Sequence, residues 1–340
     1  LKTNKGSKTA GIDKETIEHV KELGVDEFIN RVKVKFHDYN PIQVRRVYIP
    51  KKNGKIRSLG IPAFIERLCQ QCIKQILEPI FESKFFKHSY AFRPGRSQHD
   101  ALARCGYLIN RSNCRQVIEV DIESYFDNID FTVLCRILWN NGIHDKELLT
   151  IIRKILQAPI HNEGIPKKGI AQGSVLSPLL SGIYLNEFDQ WFASQYEANK
   201  MLSDQQRRKT KLKAGFLVRF ADDLRIFTKT KSQACRWYHA IDQWFQQKLR
   251  LKCSKEKTRI INIKKNPTHF LGIELKAVKK PGKKRRVCRS HIGRQELKKI
   301  STRYKAELKT LLKIHPTRFA SKLSRLESYI RGTRNYYRSA

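Results

Sequence analysis

Two adjacent acids, Asp222 and Asp223, separate two short apolar segments of the chain. The segment before them is GFLVRF at 215–220, and the segment after them is LRIF at 224–227. Apolar residues on both sides predict two strands joined by an acidic turn. Adjacent carboxylates repel each other, so a cation is their natural complement.

A third acid, Asp121, lies in the apolar stretch VIEVDI at 117–122. If this strand lies beside the strands of the acidic turn, three carboxylates converge at one sheet edge. Such a cluster binds two Mg²⁺ ions roughly 3.5–4 Å apart and supports in-line phosphoryl transfer. The alternative is that Asp222 and Asp223 form a solvated turn and that Asp121 caps a helix. We favour the metal site, because little else explains acids at the ends of apolar strands in so basic a chain.

The chain as a whole is strongly basic. Its 340 residues contain 69 Lys and Arg against 31 Asp and Glu, which gives a formal net charge of +38. This excess points to a polyanionic partner. Hydrophobic residues make up 40% of the chain, enough for a packed core, so disorder throughout is excluded. No apolar run reaches about 18 residues, so no membrane span is expected.

The elements that must position the acids follow no regular strand–helix alternation. Strands or hairpins are expected at 44–62, 115–122, 215–229 and 269–276. Helices are expected at 63–84, 99–109, 131–158, 175–192 and 232–250. This order predicts an α+β fold rather than a doubly wound sheet.

Two basic regions are expected to flank or connect these elements. Residues 196–214 read as a polar, basic surface loop, and KKPGKKRRVCR at 279–289 contains seven basic residues and no acid. The second run is the predicted boundary between lobes. Beyond it, apolar residues repeat every three or four positions, which predicts two amphipathic helices with basic polar faces.

The eight cysteines are scattered, and only Cys69 and Cys72 form a CxxC pair. A structural zinc site would need a second Cys or His pair at a matching spacing, and none is evident. We therefore expect core cysteines on an amphipathic helix, with Leu68, Ile76 and Leu77 on the same side as Cys72. Free thiols in a chain of this size favour a reducing, cytoplasmic environment.

Seven blocks of sequence occur in a set order along nearly the whole chain. They are KKNGKIRSLGIP at 51–62 with the ERLCQQCIKQILEPIFESKF that follows, SYAFRPGRSQHDAL at 89–102, VDIESYFDNID at 120–130, AQGSVLSPLLSGIYLNEFD at 171–189, RFADDLRIF at 219–227, LRLKCSKEKTRI at 249–260 with HFLGIELK at 269–276, and RGTRNYYR at 331–338. Together they resemble the blocks of group II intron-encoded reverse transcriptases, also called maturases. One block would be weak evidence, whereas seven in order are specific.

The resemblance implies a right-hand polymerase with fingers, palm and thumb, and an antiparallel palm sheet that carries the catalytic carboxylates. It places an N-terminal extension and fingers at 1–114, the palm with inserted finger helices at 115–278, and a basic connection with the start of a helical thumb at 279–340. The chain begins inside the family's N-terminal extension and ends inside the thumb-like region, so a longer protein is expected. Phe220 replaces the usual Tyr of the active-site box, Ala91 stands where Gly is common, and QGSV replaces the commoner QGGP or QGGI.

The resemblance also implies a role for individual residues. Asp121, Asp222, Asp223 and the main-chain carbonyl of Ile122 would hold two Mg²⁺ ions, for which Mn²⁺ could substitute. The residues implied in dNTP binding are Lys51, Arg57, Phe126, Gln172, Gly173 and Phe220. Phe126 occupies the place of the family's sugar discriminator, where a ring under the ribose leaves no room for a 2′-hydroxyl. The alternative is that Phe126, or Tyr125 beside it, is a core aromatic.

Template and primer contacts are implied for a further set of mostly basic residues. This set is Arg93, Gly95, Lys279, Lys280, Lys283, Lys284, Arg285 and Arg286. Lys257 is a candidate general acid for the leaving pyrophosphate, in competition with Lys252 and Lys255. Binding to an RNA template and an RNA–DNA duplex should be salt-sensitive.

The function that follows from the resemblance is RNA-directed DNA polymerisation, with binding of a structured intron RNA that assists splicing and retrohoming. One alternative is a CRISPR-associated or otherwise domesticated reverse transcriptase with a fused or associated nuclease or integrase. Another is an RNA-binding splicing factor whose polymerase machinery is idle. The intact Asp121, Asp222 and Asp223 favour the enzyme, because a purely binding protein has no need of them.

Overall fold

The computed structural model describes residues 5–50, 54, 56–197, 214–282, 285–313 and 315–340. The predictions for Lys51, Lys283 and Lys284, and for most of the 196–214 loop, lie outside the described residues.

Helices and strands are numbered in chain order. The α-helices are α1 Ile17–Glu22, α2 Val25–His37, α3 Phe64–Glu82, α4 Gln98–Asn110, α5 Phe131–Asn140, α6 Lys146–Leu156, α7 Ser177–Gln195, α8 Lys231–Trp244, α9 Arg294–Leu311 and α10 Pro316–Tyr336. The strands are β1 Arg45–Pro50, β2 Ile56–Ile61, β3 Gln116–Val120, β4 Phe216–Phe220, β5 Asp223–Thr228, β6 Arg259–Asn262, β7 Thr268–Phe270, β8 Ile273–Lys279 and β9 Arg286–Ile292. Short 3₁₀-helices span Lys5–Lys8 and Tyr125–Asn128, and a π-turn spans Phe245–Leu249.

The chain divides into two compact units. The first unit comprises Leu1–Pro94, Asp121–Ser194 and His239–Ser254. The second unit comprises Gly95–Val120, Gln195–Tyr238 and Lys255–Ala340. Both contain helices packed with antiparallel strands, which confirms an α+β fold.

The first unit is built around the long helix α7, which is apolar on nearly every side. Phe188 of α7 stacks on Phe245 with ring centroids 4.5 Å apart, and Trp191 stacks on Trp244 at 5.2 Å. Aromatic pairs of this kind stabilise a core beyond the area they bury. A helix that is apolar all round must lie inside its unit, and this explains why α7 lacks the amphipathic pattern of a surface helix.

The second unit contains two antiparallel sheets, with strand orders β4-β5-β3-β6 and β7-β8-β9. All five residues of β3 are buried between its two neighbouring strands. A strand in the middle of a sheet that is covered on both faces is usually a continuous run of apolar residues. In β3, Val117, Ile118 and Val120 follow this rule, whereas the buried Gln116 and Glu119 are polar. We call β4, the turn Ala221–Asp222 and β5 the acidic hairpin.

The basic run at 279–289, the predicted boundary between lobes, includes the end of β8 and the start of β9, which pair within one sheet. The division of the chain into lobes stays a prediction. Residues on the two sides of the run pair in register as strands of one sheet, with Val278 opposite Val287 and Lys279 opposite Arg286. The two-residue periodicity of ELKAV and VCRSH favours strands, and Gly282, with a φ of +72°, permits the turn between them. We call β8, the turn and β9 the basic hairpin.

The two C-terminal amphipathic helices are confirmed as α9 and α10. They contact each other through Tyr304 and Tyr329, whose ring centroids are 5.1 Å apart, and the Arg303 guanidinium lies 4.0 Å from the Tyr329 ring centroid. Within the described ranges, no helix combines the length and apolarity that crossing a bilayer requires.

Candidate active site

The acidic hairpin places Asp222 and Asp223 at a tight two-residue connection. Phe220 pairs with Asp223, so only Ala221 and Asp222 link the two strands. Ala221 has a φ of +58°, a left-handed conformation that a residue with a Cβ adopts only under strain. The predicted acidic turn between two strands is therefore confirmed, and Asp222 is exposed at its tip.

The strand that precedes Asp121 lies next to the acidic hairpin. β3 pairs with β5, and its last residue, Val120, is opposite Leu224. Asp121 follows Val120 in the chain, just as Asp223 precedes Leu224. The strands are thus neighbours, which was the condition for bringing the three acids together.

The main chain after Asp121 is held firmly within the first unit. The Asp121 carbonyl accepts a hydrogen bond from the Ser254 amide at 2.8 Å, and the buried Ile122 forms an antiparallel bridge with Cys253. Burial raises the pKa of the Asp223 carboxyl to about 6; the Arg225 guanidinium opposes this rise, and Asp222 adds to it.

The residues at this turn have the chemistry of a cation site, since carboxylates are the ligands that Mg²⁺ prefers and a cation would relieve their repulsion. Within the part of the chain that the structure describes, however, no group of three or more His, Cys, Asp or Glu side chains is close enough to hold a metal ion. The metal-binding role of the acids therefore remains a proposal.

Two residues predicted to bind the nucleotide lie together in the first unit. Arg57 Nε donates a hydrogen bond to Gln172 Oε1 at 2.7 Å, and the Gly60 amide donates to the Gln172 carbonyl at 2.8 Å. Gly173 has a φ of +117°, and a Cβ there would lie 2.6 Å from the Gly60 carbonyl oxygen. Only glycine permits this approach of two backbones.

The structure separates the two aromatic residues that the sequence left as alternatives. Tyr125 is buried at 3% exposure, and its hydroxyl donates a hydrogen bond to the Ser181 carbonyl at 2.6 Å. Phe126 is only half-buried and contacts the Tyr125 ring edge to face. Tyr125 is thus the core aromatic, and the ring of Phe126 retains a surface that a ligand can contact.

The remaining predicted residues differ in how accessible they are. Lys257, Lys279, Lys280 and Arg285 are exposed, and Arg286 is half-buried. Phe220 ends β4 and is half-buried. Gly95 has a φ of +67° with open space around it. These positions are compatible with contacts to a nucleic acid or nucleotide.

Arg93 is different, because its guanidinium is buried and paired. It donates to both Glu82 carboxylate oxygens and to the carbonyls of Phe86 and Ser89 at 2.8 Å. These bonds shape the loop that contains Arg93. A template phosphate would have to compete with all of them for this side chain.

Sequence reasoning missed a buried ionic group in the second unit. Glu119 on β3 and Arg225 on β5 are both buried and lie opposite each other. Burial alone would raise the pKa of Glu119, but Arg225, Thr268 and Arg259 outweigh it and hold the pKa below its usual value. A charged residue in the middle of an apolar strand was the signal that would have revealed it.

Most of the chain is similar in sequence to known proteins. Residues 49–275 match the family model described as Reverse transcriptase (RNA-dependent DNA polymerase). Protein YkfC of Escherichia coli is 34% identical, with 77% of this chain and 74% of that protein covered. The group II intron-encoded protein LtrA of Lactococcus lactis is 32% identical, with 83% of this chain but only 55% of LtrA covered. The putative COX1/OXI3 intron 2 protein of Saccharomyces cerevisiae is 26% identical, with 81% of this chain and 37% of that protein covered.

The family model covers two thirds of the chain, and it includes the acidic hairpin, the strand before Asp121 and the loop at Gln172. The intron-encoded relatives extend the similarity beyond that region. The chain belongs to the reverse transcriptase (RNA-dependent DNA polymerase) family.

Proposed function

We propose that the chain is an RNA-directed DNA polymerase that copies an RNA template by two-metal nucleotidyl transfer. The observation that carries this proposal is the acidic hairpin, whose strand β5 pairs with the strand that leads directly into Asp121. The family membership supports the same reaction.

Asp121, Asp222 and Asp223, with the Ile122 carbonyl, would hold Mg²⁺, and Mn²⁺ is a reasonable substitute. Bound metal ions would polarise the primer 3′-hydroxyl and neutralise charge on the departing pyrophosphate. The chain's own contribution is to place the carboxylates. The tight two-residue turn places Asp222 at the tip of the acidic hairpin, and the Ser254 amide bonds to the Asp121 carbonyl.

Nucleotide binding is assigned to the loop at Gln172 and the strand β2. Arg57 would hold a triphosphate oxygen, since its guanidinium keeps donors beyond the one that Gln172 occupies. The close approach of Gly173 to Gly60 lets a nucleotide lie against backbone rather than side chains. Lys51 and Phe220 are also proposed to bind the nucleotide, and Lys257 is kept as the proposed proton donor to pyrophosphate.

The proposed sugar discriminator, Phe126, can be tested separately. Phe126→Ala should raise incorporation of ribonucleotides relative to deoxyribonucleotides by about one to two orders of magnitude, because the change removes the ring that would exclude the 2′-hydroxyl. Each 1.4 kcal/mol of steric penalty that is removed raises the relative rate by about tenfold. The measurement is kcat/KM for matched rNTP and dNTP pairs. Tyr125→Ala is the matched control: it should lower the melting temperature and leave the sugar preference unchanged. An unchanged preference in a folded Phe126→Ala protein would contradict the assignment.

The template and product track is proposed along Gly95 and the exposed basic residues of the basic hairpin. A structured intron RNA is the proposed physiological partner, since several of the similar proteins, LtrA and the COX1/OXI3 intron 2 protein among them, are named as intron-encoded or intron proteins. The curated relative LtrA extends well beyond the part that this chain matches. The eight cysteines are all free thiols in the structure, and we propose a reducing cytoplasm on that ground.

Primer extension on an RNA template tests the reaction. The expected result is a full-length DNA product with dNTPs and Mg²⁺, little product with rNTPs, and none after chelation of the metal. An RNA-binding protein with idle polymerase machinery would bind the same primer–template and extend nothing. Extension with dNTPs that persists after exhaustive metal removal would contradict the two-metal proposal.

A further inference from the structure

Glu119 is a carboxylate buried inside an apolar strand, and several groups of the second unit converge on it. Its Oε2 accepts a hydrogen bond from Arg259 Nε at 2.7 Å. Its Oε1 accepts bonds from Thr268 Oγ1 at 2.6 Å and from the His269 amide at 3.1 Å. A buried carboxylate is stable only when it is paired in this way.

Arg225 lies opposite Glu119 in the register of β3 and β5, with its Nε 4.0 Å from Glu119 Oε1. Its guanidinium donates to the His269 carbonyl through Nε at 3.2 Å and also through Nη2. One face lies 5.1 Å from the centroid of the Phe270 ring. The planar guanidinium is thus held by Glu119, by the main chain of β7 and by an aromatic ring.

The remaining arm of this guanidinium reaches the acidic turn. Arg225 Nη1 donates to the Leu224 carbonyl at 2.9 Å and forms an ion pair with Asp223 Oδ1. Among the described residues, no other side-chain hydrogen bond to Asp223 is found, so its Oδ2 remains available to a cation. The orientation of this carboxylate therefore depends on Arg225, whose own orientation depends on Glu119 and His269.

We propose that Glu119 and Arg225 are positioning residues for nucleotidyl transfer: they hold one oxygen of Asp223 so that the other is presented to a divalent cation. This inference rests on the proposed metal-binding role of the acids. It also ties the acidic hairpin to β7 of the neighbouring sheet, because Arg225 bonds to Asp223 and to the His269 carbonyl at the same time.

The requirement for arginine follows from its shape. A guanidinium presents donors in a rigid fork and can bridge a carboxylate and a carbonyl in fixed geometry, whereas an ammonium is a point charge on a flexible stem. Without the fork, Asp223 would be free to rotate away from Asp222, because like charges repel. Arg225→Lys preserves the charge and removes the planar fork that forms the bridge.

The test compares Arg225→Lys and Glu119→Gln with a matched control, Arg259→Gln. Arg259 pairs with the same carboxylate, but its side chain is 58% exposed and it bonds to Glu119 rather than to Asp223. Three readouts are made on the full chain: Mn²⁺ binding followed by electron paramagnetic resonance without nucleotide, kcat and KM for dNTP in primer extension, and the melting temperature.

Arg225→Lys and Glu119→Gln should each weaken Mn²⁺ binding and lower kcat by about 10- to 100-fold, the usual cost of losing a group that orients a metal ligand. The KM for dNTP and the affinity for primer–template should stay within about twofold. Arg259→Gln should leave Mn²⁺ binding and kcat within about twofold of the original protein, because this change leaves the Arg225 bridge in place.

The proposal is overturned if folded Arg225→Lys and Glu119→Gln bind Mn²⁺ and turn over as the original protein does. It is also overturned if Arg259→Gln lowers Mn²⁺ affinity and kcat as much as Arg225→Lys and Glu119→Gln do. The hydrogen-bonded group around Glu119 would then act only by stabilising the fold. Should Arg225→Lys fail to fold, Glu119→Gln decides alone. Asp222→Asn is run alongside: full activity of that variant would refute the metal assignment itself, whatever the outcome for Arg225.

Discussion

The acidic hairpin and the basic hairpin both belong to antiparallel sheets of the second unit, yet they use arginine in opposite ways. In the acidic hairpin, Arg219 and Arg225 are 2% and 8% exposed, and both donate to main-chain carbonyls. In the basic hairpin, Arg285 and Arg289 are exposed. Arginine side chains thus make hydrogen bonds within the protein in the acidic hairpin, whereas in the basic hairpin Arg285 and Arg289 are accessible to solvent.

The basic hairpin also contains an unfavourable pair that an anion would relieve. Lys276 and Arg289 lie directly opposite each other across β8 and β9. Like charges at such positions repel and destabilise the pair of strands. A phosphate between them would turn this repulsion into attraction, whereas the buried arginines of the acidic hairpin already have protein partners. We therefore expect the buried arginines to affect catalysis and the exposed basic residues to affect affinity for nucleic acid.

The largest expected effect comes from Asp222→Asn in the acidic hairpin. This change removes the charge of a proposed metal ligand and should lower the rate of DNA synthesis by about three orders of magnitude or more, equivalent to a loss of several kcal/mol of transition-state stabilisation. Primer extension under single-turnover conditions measures it. The affinity for primer–template should stay nearly unchanged, because the substitution removes no Lys or Arg that could contact a phosphate. A variant that extends primers normally would show that the acidic hairpin is not the metal site.

The second effect concerns the exposed charges. If roughly 6–10 phosphates are contacted, affinity for an RNA–DNA duplex should fall by about a thousandfold or more between 50 and 200 mM salt, because bound counterions are released on binding. Equilibrium titrations across salt concentrations give the slope. A nearly flat dependence would mean that the basic residues serve another purpose.

The third effect contrasts one arginine from each hairpin. Arg219→Met should destabilise the protein by about 2–3 kcal/mol, because it leaves the Ala221 carbonyl without its 3.0 Å donor and disturbs a packed interior. Its matched partner, Arg289→Met, should change the free energy of unfolding by no more than about 0.5 kcal/mol. It should, however, reduce the slope of log affinity against log salt concentration by about one, the effect of one lost phosphate contact. Urea unfolding and the salt titration measure the two quantities. Equal stability losses in both variants would contradict the contrast.

The smallest effect concerns the two turns, each of which contains a residue with positive φ. Ala221→Gly should stabilise the protein by about 0.5–1 kcal/mol, because it relieves the left-handed strain at the acidic turn. Gly282→Ala should destabilise it by about 1 kcal/mol through backbone strain, since no atom of the described residues lies within 4 Å of the added Cβ. Urea unfolding distinguishes the opposite signs, and a loss of stability in Ala221→Gly would show that the turn is not strained.

Much of the fold was accessible from local patterns. The hairpin β1–β2, the acidic hairpin and the amphipathic pair α9 and α10 all occur where periodicity predicted them. Helix α3 was also predicted, but its buried side was predicted only in part: Leu77 is buried as expected, whereas Ile76 is 57% exposed. The buried Ile73 and Phe81 were not named. An amphipathic pattern of period 3.6 with several apolar residues on each side does not specify which side meets the core.

The candidate site was predicted in part. The motifs named the turn acids, Arg57, Gln172 and Phe126 as separate candidates, because each motif is a local run of chemistry-bearing residues. The hydrogen bond between Arg57 and Gln172 was not predicted, because the two residues are far apart in the sequence. Arg93 shows the limit of the method. Its motif predicted a template contact, and only its surroundings reveal the buried pairing with Glu82.

The sequence by itself determined the strand and helix periods, the tight acidic turn and the excess of positive charge, since each depends on neighbouring residues along the chain. Only the tertiary structure decided which strands are neighbours, that Lys279 pairs with Arg286 within one hairpin, and that Glu119 meets Arg225. Those outcomes depend on residues more than 100 positions apart in the case of Glu119 and Arg225. No local propensity encodes such pairings, because they are selected by the burial and hydrogen bonding of the whole sheet.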